Sequence, residues 1–124
     1  MTRSEAVQFA EQWAAAWNAR DVELVLRMFS EDTTFVSPTA LAVVGAATVR
    51  GKAALRAYWN SAMERIGSLR FTLDRVLWDE TARELAIIYV AEIDGRYRRV
   101  SENLTLDLDG LVTSAEIFHG VAEK

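Results

Sequence analysis

The chain has 124 residues, of which 51% are hydrophobic and 26% charged, a balance that fits one folded domain and excludes intrinsic disorder. Its 18 acids against 14 bases, a formal net charge of -4, argue against a nucleic-acid partner, because a phosphate backbone needs a basic surface. With no cysteine there is no disulfide or thiolate metal site, and the single histidine, His119, cannot supply the several imidazoles of most catalytic zinc sites; neither a metal nor a cofactor is expected.

The first helix follows Thr2, which with Glu5 has the form of a capping box, and Ala6, Phe9, Ala10, Trp13, Ala16 and Trp17 make its apolar stripe. Glu5 and Glu11 interrupt the segment, so it does not read as a signal peptide, and no apolar run is long enough to span a bilayer. A cytoplasmic protein without a membrane partner is expected. Asp21 caps a second helix, with Val22, Val25, Leu26 and Phe29 inward, and Ser30-Glu31-Asp32 closes it as a turn. TTFVS is a short strand ended by Pro38. Residues 40–49 are apolar without periodicity and read equally as a loop, a lid or a buried connector. A third helix follows Gly51, with Leu55, Tyr58, Trp59, Ala62 and Ile66 on one stripe and Gly67 as its stop.

Four strands complete the chain: SLRFTLDRVLW, ARELAIIYVAEI, RYRRVSENLTLDL and LVTSAEIFHGV. Asp94-Gly95 and Asp109-Gly110 suit two-residue hairpin turns. Helices first and an antiparallel meander after them predict an α+β fold, with the helices on one face of a curved sheet.

Leu104, Leu106 and Leu108 alternate with polar residues, and the same alternation run backwards puts Glu102 on the dry face. Two-residue turns would pair Ile93 with Arg96 and Leu108 with Leu111. Glu102 then lies between Ile87 and Ile117, and Val100 between Tyr89 and His119. Tyr89 and His119 become diagonal neighbours of Glu102 on one face, within the roughly 7–8 Å that long side chains bridge. An ionised carboxylate in an apolar setting is costly. Glu102 therefore takes up a proton, pairs with a cation such as Arg98 or His119, or borders a cavity; desolvation would raise its pKa and a protonated His119 beside it would lower it. The opposite face, with Ser101, Asn103, Thr105 and Asp107 against Ser114 and Glu116, is polar.

WAAAWNARDVELVLRMFSEDTTFVSP, the VRGKAALRAYW helix and the four long strands together resemble the nuclear-transport-factor-2-like superfamily, and within it the SnoaL-like polyketide cyclases and ketosteroid isomerases. The resemblance spans nearly the whole chain and implies a single domain over residues 1–124. It implies a cone-shaped fold in which three N-terminal helices pack on a curved, mainly antiparallel mixed sheet and enclose a pocket. It also implies a homodimer, joined through the outer sheet face, to which Ile88, Val90 and Phe118 would contribute. By position, Glu102 falls where the isomerases place an acidic hydrogen-bond donor to the substrate oxyanion. Ser37 stands where they carry the proton-abstracting aspartate, and Trp13 where they carry a tyrosine. A serine hydroxyl without a partner does not replace a carboxylate as general base at neutral pH. Phe35, Trp59 and His119 fall along the pocket wall, Trp13 and Ser37 join them as substrate-binding candidates, and Trp17 reads as helix-to-sheet packing.

Two functions follow. One is an enzyme of isomerase, cyclase or dehydratase type on a hydrophobic carbonyl compound, with Glu102 and His119 exchanging a proton and Tyr89 donating a hydrogen bond. The other is a ligand-binding or dimeric accessory domain without chemistry.

Overall fold

The computed structural model describes residues 1–121. Helix α1 (Arg3–Asn18) starts on the expected capping box: the Thr2 hydroxyl accepts from the Glu5 amide at 3.1 Å, and Glu5 Oε1 accepts from the Thr2 amide at 2.8 Å. Asp21 caps α2 (Val22–Leu26) by accepting from the Leu24 amide. Phe29 and Ser30-Glu31-Asp32 do not end that helix in a turn. They open strand β1 (Phe29–Val36), because Phe29 pairs with Val112, far along the chain, and the Ser30 hydroxyl donates to the Val112 carbonyl at 3.1 Å. That long-range pairing overrides the local turn preference.

Residues 40–49, open in the sequence, resolve into the end of a short helix and the start of a strand. Helix α3 (Pro38–Val44) is capped by Ser37, has Pro38 in its first turn and stops at Gly45 in the left-handed conformation, φ 79°. Strand β2 (Thr48–Arg50) follows, then α4 (Lys52–Arg65). Gly67 is not the left-handed stop expected of it. The chain leaves α4 through an extended Ile66, and the Gly67 and Ser68 amides donate to Asp94 Oδ1 at 2.9 and 2.8 Å. A Cβ on Gly67 would stand 2.9 Å from that oxygen, so close approach is what the position demands.

Strands β3 (Leu69–Asp79), β4 (Glu84–Ile93), β5 (Arg96–Leu106) and β6 (Val112–His119) form the meander. The sheet order is β2-β1-β6-β5-β4-β3, antiparallel throughout except for the parallel β1–β6 pair. The architecture is the expected α+β fold, an open mixed sheet with helices on one face, α3 being an addition to the three helices read from sequence. Irregularities between Leu73 and Arg75 and between Thr105 and Leu106 break the ladder where the sheet must bend. Trp13, Leu26, Phe29, Leu55, Ile87 and Leu104 fill the space between helices and sheet, none more than 1% exposed. Among the described residues no helix is long and apolar enough to cross a membrane.

The register of the inner face follows the sequence reading: Ile93 opposes Arg96, Glu102 lies between Ile87 and Ile117, and Val100 between Tyr89 and His119. The Asp109-Gly110 turn does not. Its loop holds three residues: the Asp107 carbonyl accepts from the Gly110 amide, the Asp107 amide donates to the Leu111 carbonyl, and Gly110 has φ 82°. Leu108 therefore does not pair with Leu111 and sits at the tip, 88% exposed. The extra residue is offset by a bulge at Thr113, because Leu106 opposes Val112 while Thr105 opposes Ser114. Two departures cancel, and Glu102 keeps its side.

Candidate functional site

Helices α1 and α4 stand off the concave face of the sheet and leave a cavity of ≈ 260 Å³. Its wall is mainly apolar, with aromatic rings from every side: Trp17 from α1, Tyr58 and Trp59 from α4, Phe35 from β1, Phe71 from β3 and Tyr89 from β4. Phe35 and Trp59 meet edge to face at 5.4 Å, as do Trp17 and Trp59 at 5.0 Å, an arrangement that rigid rings favour. On β5 the alternate residues Arg96, Arg98, Val100 and Glu102 all line the cavity, running from exposed arginines at the mouth to a buried carboxyl inside.

Glu102 is 7% exposed and is the one carboxyl among the described residues on this wall. Tyr89 Oη donates to Glu102 Oε1 at 3.0 Å, and no Lys, Arg or His nitrogen of the described residues lies within 4.0 Å of it. Burial pushes the carboxyl up to about 8, and the Tyr89 hydrogen bond only partly opposes this. At neutral pH Glu102 is mostly protonated. Of the outcomes the sequence left open, it takes up a proton and borders a cavity; it does not pair with a cation. The same burial, with the carboxyl beside it, holds the Tyr89 hydroxyl well above its usual range.

His119 lines the cavity, but no nitrogen of it reaches Glu102, so the expected three-residue cluster does not close. Arg98 takes it instead: Arg98 Nη1 stands 2.9 Å from His119 Nδ1. Arginine has no acceptor, so Nδ1 must accept and the ring proton belongs on Nε2. The same contact removes Arg98 as a partner for Glu102. Burial and then the Arg98 charge lower the pKa of His119, which keeps the ring neutral at pH 7. In an NMR titration the His119 Cε1–H should therefore titrate below the ordinary histidine range, and Arg98→Gln should move that midpoint upward. An unchanged midpoint would contradict the contact.

Trp13, expected on the pocket wall, is not part of it. It is 0% exposed and lies behind the lining, edge-on to Tyr89 at 4.9 Å and stacked on Phe71 at 5.6 Å. Trp17, expected to be packing, is the α1 tryptophan that reaches the cavity. Residues one helical turn apart share a stripe but differ in depth along it, which periodicity does not report. Ser37 lines the cavity and also caps α3, accepting from the Thr39 amide at 3.2 Å, while its hydroxyl lies within hydrogen-bonding reach of Tyr58. The sequence shows Tyr58 only as part of a helix stripe. Burial pushes its hydroxyl up to about 12, and it adds a polar group beside Ser37. A tyrosine on a buried helix stripe needs a partner for its hydroxyl, and that need was the signal available. Among the described residues no group of three His, Cys, Asp or Glu could hold a metal ion.

The model of the SnoaL-like domain family matches residues 10–113 of the chain. The chain belongs to this family. By sequence it matches no curated protein. Among solved structures it is similar to a SnoaL-like protein of unknown function from Burkholderia thailandensis, with 28% identity and a TM-score of 0.87 over 97% of this chain and 98% of the other. It also shares its fold with SalBIII, an epoxide hydrolase/cyclase-like enzyme in pyran ring formation of salinomycin (21% identity, TM-score 0.75, 95% and 92% covered). TerC, co-crystallized with polyporic acid, is a third (17% identity, TM-score 0.77, 93% and 91% covered).

Proposed function

We propose that the cavity binds a hydrophobic small molecule carrying a carbonyl or similar oxygen, and that Glu102 acts on that oxygen as a neutral acid in a reaction of isomerase, cyclase or dehydratase type. The observation that carries this reading is the uncompensated carboxyl inside an aromatic cavity, with Tyr89 donating to it at 3.0 Å. Tyr89 occupies Oε1, which leaves a protonated Oε2 to donate to a ligand oxygen. A donor held in a low-dielectric cavity favours the negative charge that develops on a carbonyl or opening ether oxygen as the reaction proceeds. Tyr58 and His119 Nε2–H are further donors on the same wall. Ser37 is no general base, and His119 with its proton on Nε2 abstracts none, so the wall supplies activation by an acid, and the carboxylate that Glu102 becomes on donating is the base that takes up the proton the substrate gives up. An epoxide hydrolase/cyclase-like enzyme and a protein crystallized with polyporic acid share the fold, which supports the substrate class at the level of fold only. The same reading takes the protein as a cytoplasmic homodimer joined through the outer sheet face, where Phe118 is 55% exposed.

The second reading is ligand binding without chemistry, and the lack of another carboxyl on the wall among the described residues favours it. A thermal-shift screen of hydrophobic carbonyl compounds, with each hit followed for conversion, separates the two. For an enzyme, Glu102→Gln should keep ligand binding within a few fold and lower turnover by about 10²-fold or more, the usual weight of a positioned acid. Turnover unchanged in both Glu102→Gln and His119→Ala would refute the catalytic assignment, and hits that bind without conversion would favour the binding domain.

A further inference from the structure

The inner face of β5 changes character along its length. Glu102 and Val100 are buried, while Arg98 and Arg96, two and four residues nearer the hairpin than Val100, are exposed and still line the cavity. Nothing among the described residues neutralizes these two guanidinium groups. Of the described residues, no acid oxygen stands within 4.0 Å of Arg96, and the one partner of Arg98 among them is the neutral ring nitrogen of His119 at 2.9 Å. Arg99 pairs with Asp74 and Arg20 donates to the carbonyls of Met63 and Ile66, and of the described arginines only Arg96 and Arg98 line the cavity. Asp94, the acid nearest in sequence to Arg96, holds the Gly67 and Ser68 amides with Oδ1 and stands more than 4.0 Å from any cation of the described residues. In a chain with more acids than bases, 18 against 14, two uncompensated arginines at the opening of an apolar cavity are a local excess of positive charge.

We propose that the mouth of the cavity is an anion subsite, where Arg96 and Arg98 hold a carboxylate of a ligand whose apolar body fills the aromatic cavity and whose far oxygen reaches Glu102. The planar fork of arginine suits a carboxylate, and rings stack well on the walls that Trp17, Trp59 and Phe71 provide. Four to six residues of strand separate the arginines from Glu102, roughly 13–20 Å at the usual rise, and the inward reach of the side chains shortens the gap to two or three linked or fused rings. The substrate class is thus an aromatic keto acid: apolar in the middle, anionic at one end, with a hydrogen-bond acceptor at the other. The oxygen end of this assignment rests on the acid role proposed for Glu102; the anionic end does not.

The test uses a biphenyl with a para acetyl group on one ring and a para carboxylate on the other, beside its neutral methyl ester, each titrated by calorimetry into the wild type, Arg96→Gln/Arg98→Gln and Glu102→Gln. The wild type should bind the acid about tenfold tighter than the ester. The double variant should bring the two within about twofold, with ester affinity unchanged. Equal binding of acid and ester by the wild type overturns the subsite, as does a preference that survives the double substitution or a failure of both probes to bind. Glu102→Gln reports on the anionic end alone: its amide can still donate to the acetyl oxygen, so both probes should bind within a few fold of the wild type with the preference for the acid kept, and loss of that preference would overturn its assignment to Arg96 and Arg98.

Discussion

Glu102→Gln should match the wild type in urea denaturation at pH 5 and exceed it in stability by about 4 kcal/mol at pH 8. The carboxyl has a pKa of about 8 in the folded protein against 4.5 as the reference value, so between these pH values the folded state binds a proton that the unfolded chain has released. A state that binds more protons loses ground as pH rises. The contribution of this group is therefore fully present below 4.5 and lost on the way to about 8, at roughly 1.4 kcal/mol per pH unit, approaching a total of about 5 kcal/mol. Glutamine does not titrate, and its amide oxygen can still accept from Tyr89, so the variant lacks this slope. Glu23 and Asp74, whose arginine partners lower their pKa values, act in the opposite direction at acid pH, but they are common to both proteins and cancel in the difference. Since a domain of this size has only about 5–15 kcal/mol of stability, the effect is large. Parallel stability curves for the two proteins from pH 5 to pH 9 would show that this carboxyl is not held neutral by burial, and the acid role would go with it.

Why the sequence revealed Glu102 but not its surroundings follows from the range over which each signal acts. Strand alternation has a period of two, and the Ile93-Asp94-Gly95-Arg96 hairpin fixes its phase, so the side on which Glu102 points could be read locally. The β5–β6 hairpin came out right for a different reason, because a longer loop and the bulge at Thr113 cancel. The Arg98–His119 contact is made by a long side chain crossing between strands, and composition gives no hint that arginine would choose the imidazole over the carboxylate. Ser30-Glu31-Asp32 looks like a turn to any local rule and becomes strand only through the parallel partner β6. Helix α3 has seven residues and too few turns to show a stripe. The fold was legible from the order of its elements; the wall of the cavity, which depends on how deep each helix stripe sits, was legible only in part.

Trp13 is where fold and site meet, and Trp13→Ala should be among the most damaging single substitutions in the chain. The side chain is 0% exposed, and removing a buried indole typically costs about 3–5 kcal/mol, part of it the cavity left behind. Trp13→Phe should cost clearly less, for a specific reason: the indole Nε1–H is buried without a hydrogen-bond partner among the described residues, so replacing it forfeits no hydrogen bond and leaves no acceptor stranded. The two variants should also differ at the site. Trp13 backs Tyr89 at 4.9 Å and Phe71 at 5.6 Å, so the alanine variant removes the support that holds the Tyr89 hydroxyl on Glu102, whereas phenylalanine keeps a ring against both. Without that hydrogen bond, which lowers the Glu102 pKa, the carboxyl should titrate higher in Trp13→Ala than in the wild type. Urea denaturation gives the first comparison and a ¹³C-carboxyl titration of Glu102 the second. A loss below about 1 kcal/mol in Trp13→Ala, with the Glu102 midpoint unmoved, would mean that Tyr89 is positioned by the sheet alone and that the indole behind it is filler.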